Sequence, residues 1–138
     1  MRRFALALVL LMPLTGSALA GEAEVKAAQG TIESQLKAFQ AGDGNAAYSY
    51  AAPSIKSVFP SADIFMSMVA SGYAPVYKPQ SYSFGTAEEP SPTTVVQQVM
   101  IVGPDGKDYE ASYRLELQPD GVFRITSVSL RAANSLTT

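Results

Sequence analysis

The chain has 138 residues, with 10 lysines and arginines, 12 aspartates and glutamates and a formal net charge of −2, and it contains neither histidine nor cysteine. This composition excludes a Ser-His-Asp triad, a cysteine nucleophile, a disulfide and a typical zinc site, which leaves carboxylates, tyrosine, lysine, arginine and hydroxyls as candidate catalysts. Because the basic residues are scattered along the chain, no nucleic-acid partner is expected.

The first twenty residues have the pattern of a secretory signal peptide. The positive segment Met1–Arg3 precedes the apolar run Phe4–Leu14, and Ala18-Leu19-Ala20 is a small-residue cleavage pattern. The apolar run is too short for a membrane span, and Pro13 interrupts it. We therefore expect cleavage after Ala20, no membrane span in the mature protein and a periplasmic or secreted location. The arginine pair leaves twin-arginine export open beside the general secretory route.

The mature chain begins with a predicted amphipathic helix over residues 25–41. Five apolar residues follow one another at spacings of three or four and so share one face: Val25, Ala28, Ile32, Leu36 and Phe39. Gly30, in the middle of this helix, costs about 1 kcal/mol relative to alanine. It indicates either a close approach by another element or a later start of the helix.

Capping residues mark two further helix starts. Asp43 predicts the N-cap of a short helix over residues 44–52, and Ser61 predicts the cap of a helix that runs to residue 72. One more helical turn is predicted over residues 54–59, between these two helices. The apolar side of the helix after Ser61 is predicted to consist of four residues: Ile64, Phe65, Met68 and Val69.

Residues 73–79 predict an extended link from the helices to a sheet, because Pro75 and Pro79 each disfavour the helical conformation in the residue before them. A first short strand is predicted around Tyr82 and Phe84. Residues 88–92, which are polar and contain proline, then predict a loop.

The second strand is predicted over residues 93–102, which are rich in valine on both faces and therefore favour a central position in the sheet. Gln97 and Gln98 interrupt this apolar pattern. Because neighbouring residues on a strand point to opposite faces, one of them must face the helices, where a buried amide needs hydrogen-bond partners. The glutamine that faces the helices indicates either a polar site beneath them or an edge position of the strand.

The clearest strand pattern lies between two near-identical turns, Pro104-Asp105-Gly106 and Pro119-Asp120-Gly121. Between these turns apolar and charged residues alternate, which is typical of a strand with one face buried. The apolar face carries five residues: Tyr109, Ala111, Tyr113, Leu115 and Leu117. The opposite face is charged, so it is predicted to be in solvent and argues against a dimer through this sheet face.

The last strand changes phase part-way along its length. Phe123 and Ile125 share one face, whereas Val128 and Leu130 fall in the other phase. An extra residue in one strand of a pair produces this shift, so a β-bulge is predicted near Thr126-Ser127.

Helices followed by a four-strand antiparallel meander predict an α+β fold with the helices packed on one face of the sheet. We expect a signal peptide over residues 1–20, one domain over 21–131 and a flexible tail over 132–138. Cleavage leaves 118 residues with a net charge of −4, a length that suits one domain. A monomer is expected, and the strand over 93–102 leaves a dimer open.

Three segments carry a resemblance to a known family: residues 35–40 (QLKAFQ), 47–55 (AYSYAAPSI) and 72–79 (GYAPVYKP). They resemble a family of small exported bacterial proteins known only as a domain of unknown function, over about residues 28–131. The order of elements resembles the nuclear-transport-factor-2-like superfold, a cystatin-like α+β cone. The resemblance implies a curved sheet with a pocket between sheet and helices, and it offers no functional residues to carry over.

Some relatives in that superfold are enzymes, so the positions of the acids in this chain can be compared with the sites of those enzymes. Their sites place an acid against a tyrosine, arginine or second acid inside the cone. In this chain Glu110 and Glu116 lie on the charged strand face, and Asp43 and Asp63 lie at helix starts. We therefore predict no catalytic residue, no metal ligand and no cofactor. A cofactor-free lyase or isomerase is the alternative, and it requires one of these four acids inside a pocket.

The aromatic residues supply the candidate binding site. Five of them are predicted to line an apolar pocket, with hydroxyls that orient a ligand: Tyr48, Tyr50, Phe65, Tyr109 and Tyr113. The competing interpretation is that they fill the core of a domain without tryptophan. The function predicted from the sequence is a non-catalytic exported domain that binds a small apolar ligand or a protein partner.

Overall fold

The computed structural model describes residues 17–133, and side chains from residue 21 onward. Residues 1–16 of the predicted signal peptide and residues 134–138 of the predicted tail lie outside the described range. Helix α1, Ser17–Ala41, begins eight residues before the predicted start and extends across the expected cleavage point after Ala20. Cleavage at that point stays a prediction.

The described chain folds into helices followed by a sheet, which confirms the α+β class. After α1 come α2 (Gly44–Ser49), α3 (Pro53–Val58), α4 (Ala62–Gly72) and α5 (Ala74–Tyr77). The strands are β1 (Ser81–Ser91), β2 (Thr94–Val102), β3 (Asp108–Leu117) and β4 (Phe123–Ala132). They form one open antiparallel sheet in the order β1-β2-β3-β4, so the predicted meander is confirmed. None of the helices between residues 17 and 133 has the length and apolar character needed to cross a membrane.

The predicted apolar face of α1 is the face that covers the sheet. Ala28, Ile32 and Leu36 are fully buried, and Phe39 is 1% exposed. Gly30 lies on the opposite, exposed face, and a Cβ added there would meet nothing within 4 Å. The interpretation of Gly30 as a close approach by another element is therefore wrong.

Replacing Gly30 with alanine is expected to stabilise the domain by about 0.5–1 kcal/mol. Alanine removes the conformational freedom that glycine gives the unfolded chain, and the helix has room for the methyl group. Urea unfolding of both proteins measures the change. A destabilised variant would show that this stretch of α1 is not helical in solution.

Both predicted helix caps are confirmed. The side chain of Asp43 accepts a hydrogen bond from the backbone N–H of Ala46 at 3.1 Å, and that of Ser61 accepts one from Ile64 at 3.2 Å. Two details differ from the predictions. Helix α2 ends at Ser49, three residues early. Ile64, predicted to lie on the buried side of α4, is 49% exposed.

The prediction of an extended link over residues 73–79 is wrong, because Ala74–Tyr77 forms α5. Pro75 occupies the first turn of this helix, where a backbone N–H has no partner within the helix and its loss costs nothing. Pro75 and Val76 are both buried, so α5 packs its first turn into the core.

The predicted loop over residues 88–92 is also wrong, because β1 continues to Ser91 and includes Pro90. β1 is an edge strand, so proline can occupy a position that donates no hydrogen bond to a neighbour. The two Pro-Asp-Gly turns form as predicted. Gly106 and Gly121 have φ of 76° and 81°, and the aspartate of each turn accepts a hydrogen bond from the backbone two residues on.

The predicted bulge in β4 is confirmed at Thr126. Leu115 of β3 pairs with Ile125 and Arg114 pairs with Ser127, so Thr126 is the extra residue. The Thr126 hydroxyl donates to the carbonyl oxygen of Arg114 at 3.1 Å. The outer edge of β4 is bonded to residues 50–52 through Ile125, just before the bulge.

Gln97 is the glutamine that faces the helices, and it is fully buried. Its Nε2 donates to the carbonyl oxygens of Gly85 at 3.1 Å and Thr86 at 3.3 Å, and its Oε1 accepts from Gln29 Nε2 at 3.0 Å. Gly85 and Thr86 lie where the pairing of β1 with β2 shifts. Gln97 therefore bonds carbonyls of β1 at the point where its pairing with β2 is irregular.

The two faces of the sheet differ as predicted, except that Leu117, predicted to lie on the buried face, is 37% exposed. Ala111, Tyr113 and Leu115 of β3 are fully buried beneath the helices. The other face is polar: Glu110 pairs with Arg131 at 2.6 Å, and Glu116 lies 3.9 Å from Arg114. Exposed pairs of this kind contribute little stability, so the core beneath the helices holds the fold.

Candidate functional site

A cavity of about 230 Å³ lies between the helices and residues 125–128 of β4. The helix α1 contributes Gln35 and Phe39, and β4 contributes the segment 125–128 around the bulge. The remaining walls come from α3, α4 and α5 and the residues that end α3 and α4. Their lining residues are Ile55, Phe59, Phe65, Met68, Val69, Tyr73 and Val76.

Aromatic contacts fix the side of the cavity that α4 forms. The rings of Phe39 and Phe65 stack with centroids 6.1 Å apart, and Tyr48 of α2 packs against Phe65 at 5.5 Å. The Tyr48 hydroxyl donates to the carbonyl oxygen of Phe59 at 2.5 Å. Tyr48 therefore holds two lining residues in place, although its own side chain does not line the cavity.

Helix α3 is the least anchored wall. None of its six residues is buried, and it contributes Ile55 to the cavity while Phe59 ends it. At its start Ala52 donates its N–H to the carbonyl oxygen of Ile125 at 2.8 Å, and at its end Tyr48 bonds Phe59.

The bulge forms the opposite wall. Thr126 adds one residue to β4, so Val128 lies opposite Tyr113 on the inner face. A bulge bends its strand and increases the local twist. The bend occurs just after Ile125, the last residue of β4 that is bonded to residues 50–52. The bulge therefore lies where Ile125 through Val128 border the cavity.

The chemistry of the lining is apolar and uncharged. None of the described residues that line the cavity is an aspartate, glutamate, lysine or arginine. The polar side chains are those of Gln35, Tyr73, Thr126 and Ser127, and the Thr126 hydroxyl is already bonded to Arg114. The arrangement can hold an apolar molecule, and its described lining residues include no carboxylate, lysine or arginine.

The four acids on which a catalytic role depends lie elsewhere. Asp43 and Asp63 are exposed at helix starts, and Glu110 and Glu116 are on the outer face of the sheet. None of them lines the cavity. Between residues 17 and 133, no three acidic, histidine or cysteine side chains are grouped closely enough to hold a metal ion.

One comparison with known proteins gives an assignment. The model of a family described as Domain of unknown function (DUF4864) matches residues 22–138. The chain belongs to the DUF4864 family. The match starts two residues after the expected cleavage point, so the DUF4864 domain and the predicted mature chain nearly coincide. No curated protein and no solved structure matches the chain.

The DUF4864 domain brings one of the five aromatic residues predicted from the sequence into the cavity. Phe65 lines it, and Tyr48 supports it from behind. Tyr50 takes part through its backbone, because its carbonyl oxygen accepts from the N–H of Ile125 at 2.9 Å. A binding role for these residues stays a prediction.

Tyr109 lies far along the sheet from the cavity, at the turn that joins β2 to β3. Its hydroxyl donates to Asp105 Oδ2 at 2.6 Å. This bond raises the pKa of Tyr109 and, with the backbone N–H of Lys107, holds the pKa of Asp105 below its usual value. Tyr109 lines a separate depression beside Tyr82, and its bond to Asp105 braces the turn.

Tyr113 occupies the middle of the sheet in the DUF4864 core. Its side chain is fully buried, and its hydroxyl is the one enclosed side-chain polar atom among the described residues that has no hydrogen-bond partner. Burial raises the pKa of Tyr113 well above the ordinary value, and the nearby Tyr82 adds to the shift. Tyr113 does not line the cavity, and its position is that of a core residue.

Replacing Tyr113 with phenylalanine is expected to stabilise the domain by about 1 kcal/mol, because it removes a buried hydroxyl that has no partner. Urea unfolding at pH 7 measures the effect. The gain should increase above about pH 10, where the unfolded chain releases the Tyr113 proton and the folded chain keeps it. Tyr50→Phe, at a partly exposed position, is the control. Equal responses of the two variants would contradict the prediction.

The lining residues that sequence reasoning missed include Gln35, Phe59, Val76 and Ile125. One signal was available for Gln35. It lies three residues after Ile32 and four before Phe39, on the apolar face of α1, so it is a polar side chain where burial is expected. The other three are ordinary apolar residues whose meeting point depends on the packing of distant elements.

Proposed function

We propose that this DUF4864 domain binds a small apolar ligand in the cavity between the helices and the bulged part of β4. The observation that carries the proposal is an apolar, uncharged cavity of about 230 Å³. An engineered apolar cavity of about 150 Å³ in another protein stays dry and binds benzene. A cavity of 230 Å³ therefore suits a single aromatic ring with a short substituent, or a short acyl chain.

The size of the cavity also limits the affinity. Drug-sized ligands occupy pockets of about 300–1,000 Å³, so this ligand is smaller. For about ten heavy atoms, a binding free energy of about 4–7 kcal/mol is reasonable, which corresponds to dissociation constants between about 1 mM and 10 μM. Binding of this strength suits an abundant or locally concentrated compound and has to be measured at high ligand concentration.

The proposal includes a location and a fold family. The signal-peptide pattern before Ala20 supports export to the periplasm or the medium of a bacterium, and the mature domain then meets external or envelope compounds. The helices over one face of an antiparallel sheet, with a cavity between them, support a nuclear-transport-factor-2-like cone. The mass of the protein recovered from the exported fraction tests cleavage after Ala20.

Methyl NMR with toluene tests the binding proposal. Toluene is expected to shift the signals of Ile55, Met68 and Val69, and to leave that of Val122, an exposed residue outside the cavity, unchanged. Val128→Phe places a ring in the cavity and is expected to weaken binding at least tenfold. Val122→Phe is the matched control. An absence of cavity shifts near saturating toluene, or equal binding by both variants, would overturn the proposal.

A further inference from the structure

Gln35 is the polar side chain that α1 contributes to the lining of the cavity. The residue is 4% exposed and lies on the apolar face of α1, between the buried Ile32 and Phe39. A buried amide is costly unless its donors and acceptor are bonded. The hydrogen bonds of the Gln35 amide therefore indicate which donors and acceptors the surrounding protein provides.

The two ends of the Gln35 amide have different surroundings. Its Nε2 donates to the carbonyl oxygen of Ala47 at 3.1 Å, and this bond sets the orientation of the amide. No described residue donates a hydrogen bond to Oε1. Oε1 is also not enclosed by protein, because the Tyr113 hydroxyl is the enclosed side-chain atom without a partner in the described chain. Oε1 therefore borders open space, and the cavity is the space that Gln35 lines.

From this geometry, and resting on the proposed function, we propose that the ligand is neutral and carries one hydrogen-bond donor. The donor, a hydroxyl or an amide N–H, bonds to Gln35 Oε1, and the apolar part of the ligand fills the space among Phe39, Phe65 and Val69. The class that fits is a small phenol, alcohol or primary amide.

The same geometry disfavours charged ligands. A carboxylate would place its charge against a carbonyl oxygen, and no lysine or arginine among the described lining residues could pair with it. An ammonium group would be attracted to Oε1, but burial of an unpaired charge in an apolar cavity costs more than one hydrogen bond returns. A hydrocarbon fits by shape, but it leaves Oε1 without water and without a donor, which costs affinity.

Toluene, 4-methylphenol and 4-methylbenzoate test the proposal, because the three share a ring and a methyl group and differ in one substituent. The intact domain is expected to bind 4-methylphenol about tenfold more tightly than toluene, and 4-methylbenzoate at least tenfold more weakly than 4-methylphenol. Gln35→Met keeps the length of the side chain and removes the acceptor, so the preference is expected to reverse in favour of toluene. The carbonyl oxygen of Ala47 then keeps its contact with the N–H of Tyr50 at 3.4 Å.

A second readout needs no substitution. The carbonyl carbon of the Gln35 side chain is expected to change its NMR shift with 4-methylphenol and much less with toluene, because only the phenol donates to Oε1. Equal affinity for both compounds with no selective shift at Gln35 would overturn this inference and leave the proposed function standing. Binding of neither compound in the cavity would overturn both.

Discussion

Replacing Gln97 with glutamate is expected to destabilise the domain by about 3–5 kcal/mol at pH 7. Gln97 is fully buried, and its Nε2 donates to the carbonyl oxygens of Gly85 and Thr86. An ionised carboxylate has no proton to donate, so it would face the two carbonyl oxygens, and the one donor left to it among the described residues would be the uncharged amide of Gln29. Removal of one partner from a buried charged pair has a cost of this size for the same reason.

The loss of stability in Gln97→Glu is expected to become larger as the pH rises. Burial raises the pKa of a carboxyl group above its value of about 4.3 in the unfolded chain. The folded variant then binds more protons than the unfolded variant, so its stability falls as the pH rises through about 4.3 and beyond. Urea unfolding at pH 4 and pH 7 should therefore show a smaller deficit at pH 4.

Gln98→Glu is the matched control for this prediction. Gln98 is the next residue on β2, faces the outer side of the sheet and bonds to Ser112 Oγ at 3.0 Å. A carboxylate there remains partly in solvent, so the change is expected to stay within about 1 kcal/mol. If Gln97→Glu lowered the free energy of unfolding no more than Gln98→Glu, the result would contradict the burial and the hydrogen bonds described for Gln97.

Deletion of Thr126 is expected to weaken toluene binding at least tenfold and to change the free energy of unfolding by only about 1 kcal/mol. Thr126 is the extra residue of the bulge, and Ile125 and Ser127 already pair with successive residues of β3. Without Thr126 the strand can pair continuously while Val128 keeps its place opposite Tyr113. The bend at residues 125–128, which line the cavity, is then lost, and the cavity is expected to close.

Thr126→Val is the control, because it removes the hydroxyl bond to Arg114 and keeps the chain length and the bulge. It is expected to bind toluene nearly as well as the unchanged domain. Methyl NMR titration measures both variants, and urea unfolding measures their stability. Full binding by the deletion variant would show that the cavity does not depend on the bulge.

The parts of the fold that were predicted correctly depend on neighbouring residues. The alternation on β3, the two Pro-Asp-Gly turns and the phase change at Thr126 each arise within a few residues. The predictions at Pro75 and Pro90, an extended link and a loop, were wrong because the effect of a proline depends on its place in the whole fold. An edge strand admits Pro90, and the first turn of α5 admits Pro75.

The candidate site was harder to predict because its residues meet only through tertiary packing. Ile55, Val76 and Ile125 are typical core residues in the sequence, and nothing local distinguishes a cavity wall from a filled core. The aromatic residues were chosen for their size and hydroxyls, which explains why Tyr113 was among them although it lies in the middle of the sheet. Gln35 differed from its apolar neighbours, but its free acceptor was visible only with the helices in place.

The weak anchoring of α3 has a consequence for how fast a ligand exchanges. Release of this helix breaks its bonds at Ala52 and Phe59 and exposes Ile55, whereas β2, β3 and the buried face of α1 stay packed. Local openings that expose little apolar surface need far less free energy than global unfolding. Brief departures of α3 are therefore expected to widen the opening of the cavity, at a rate set by this helix and largely independent of the stability of the sheet.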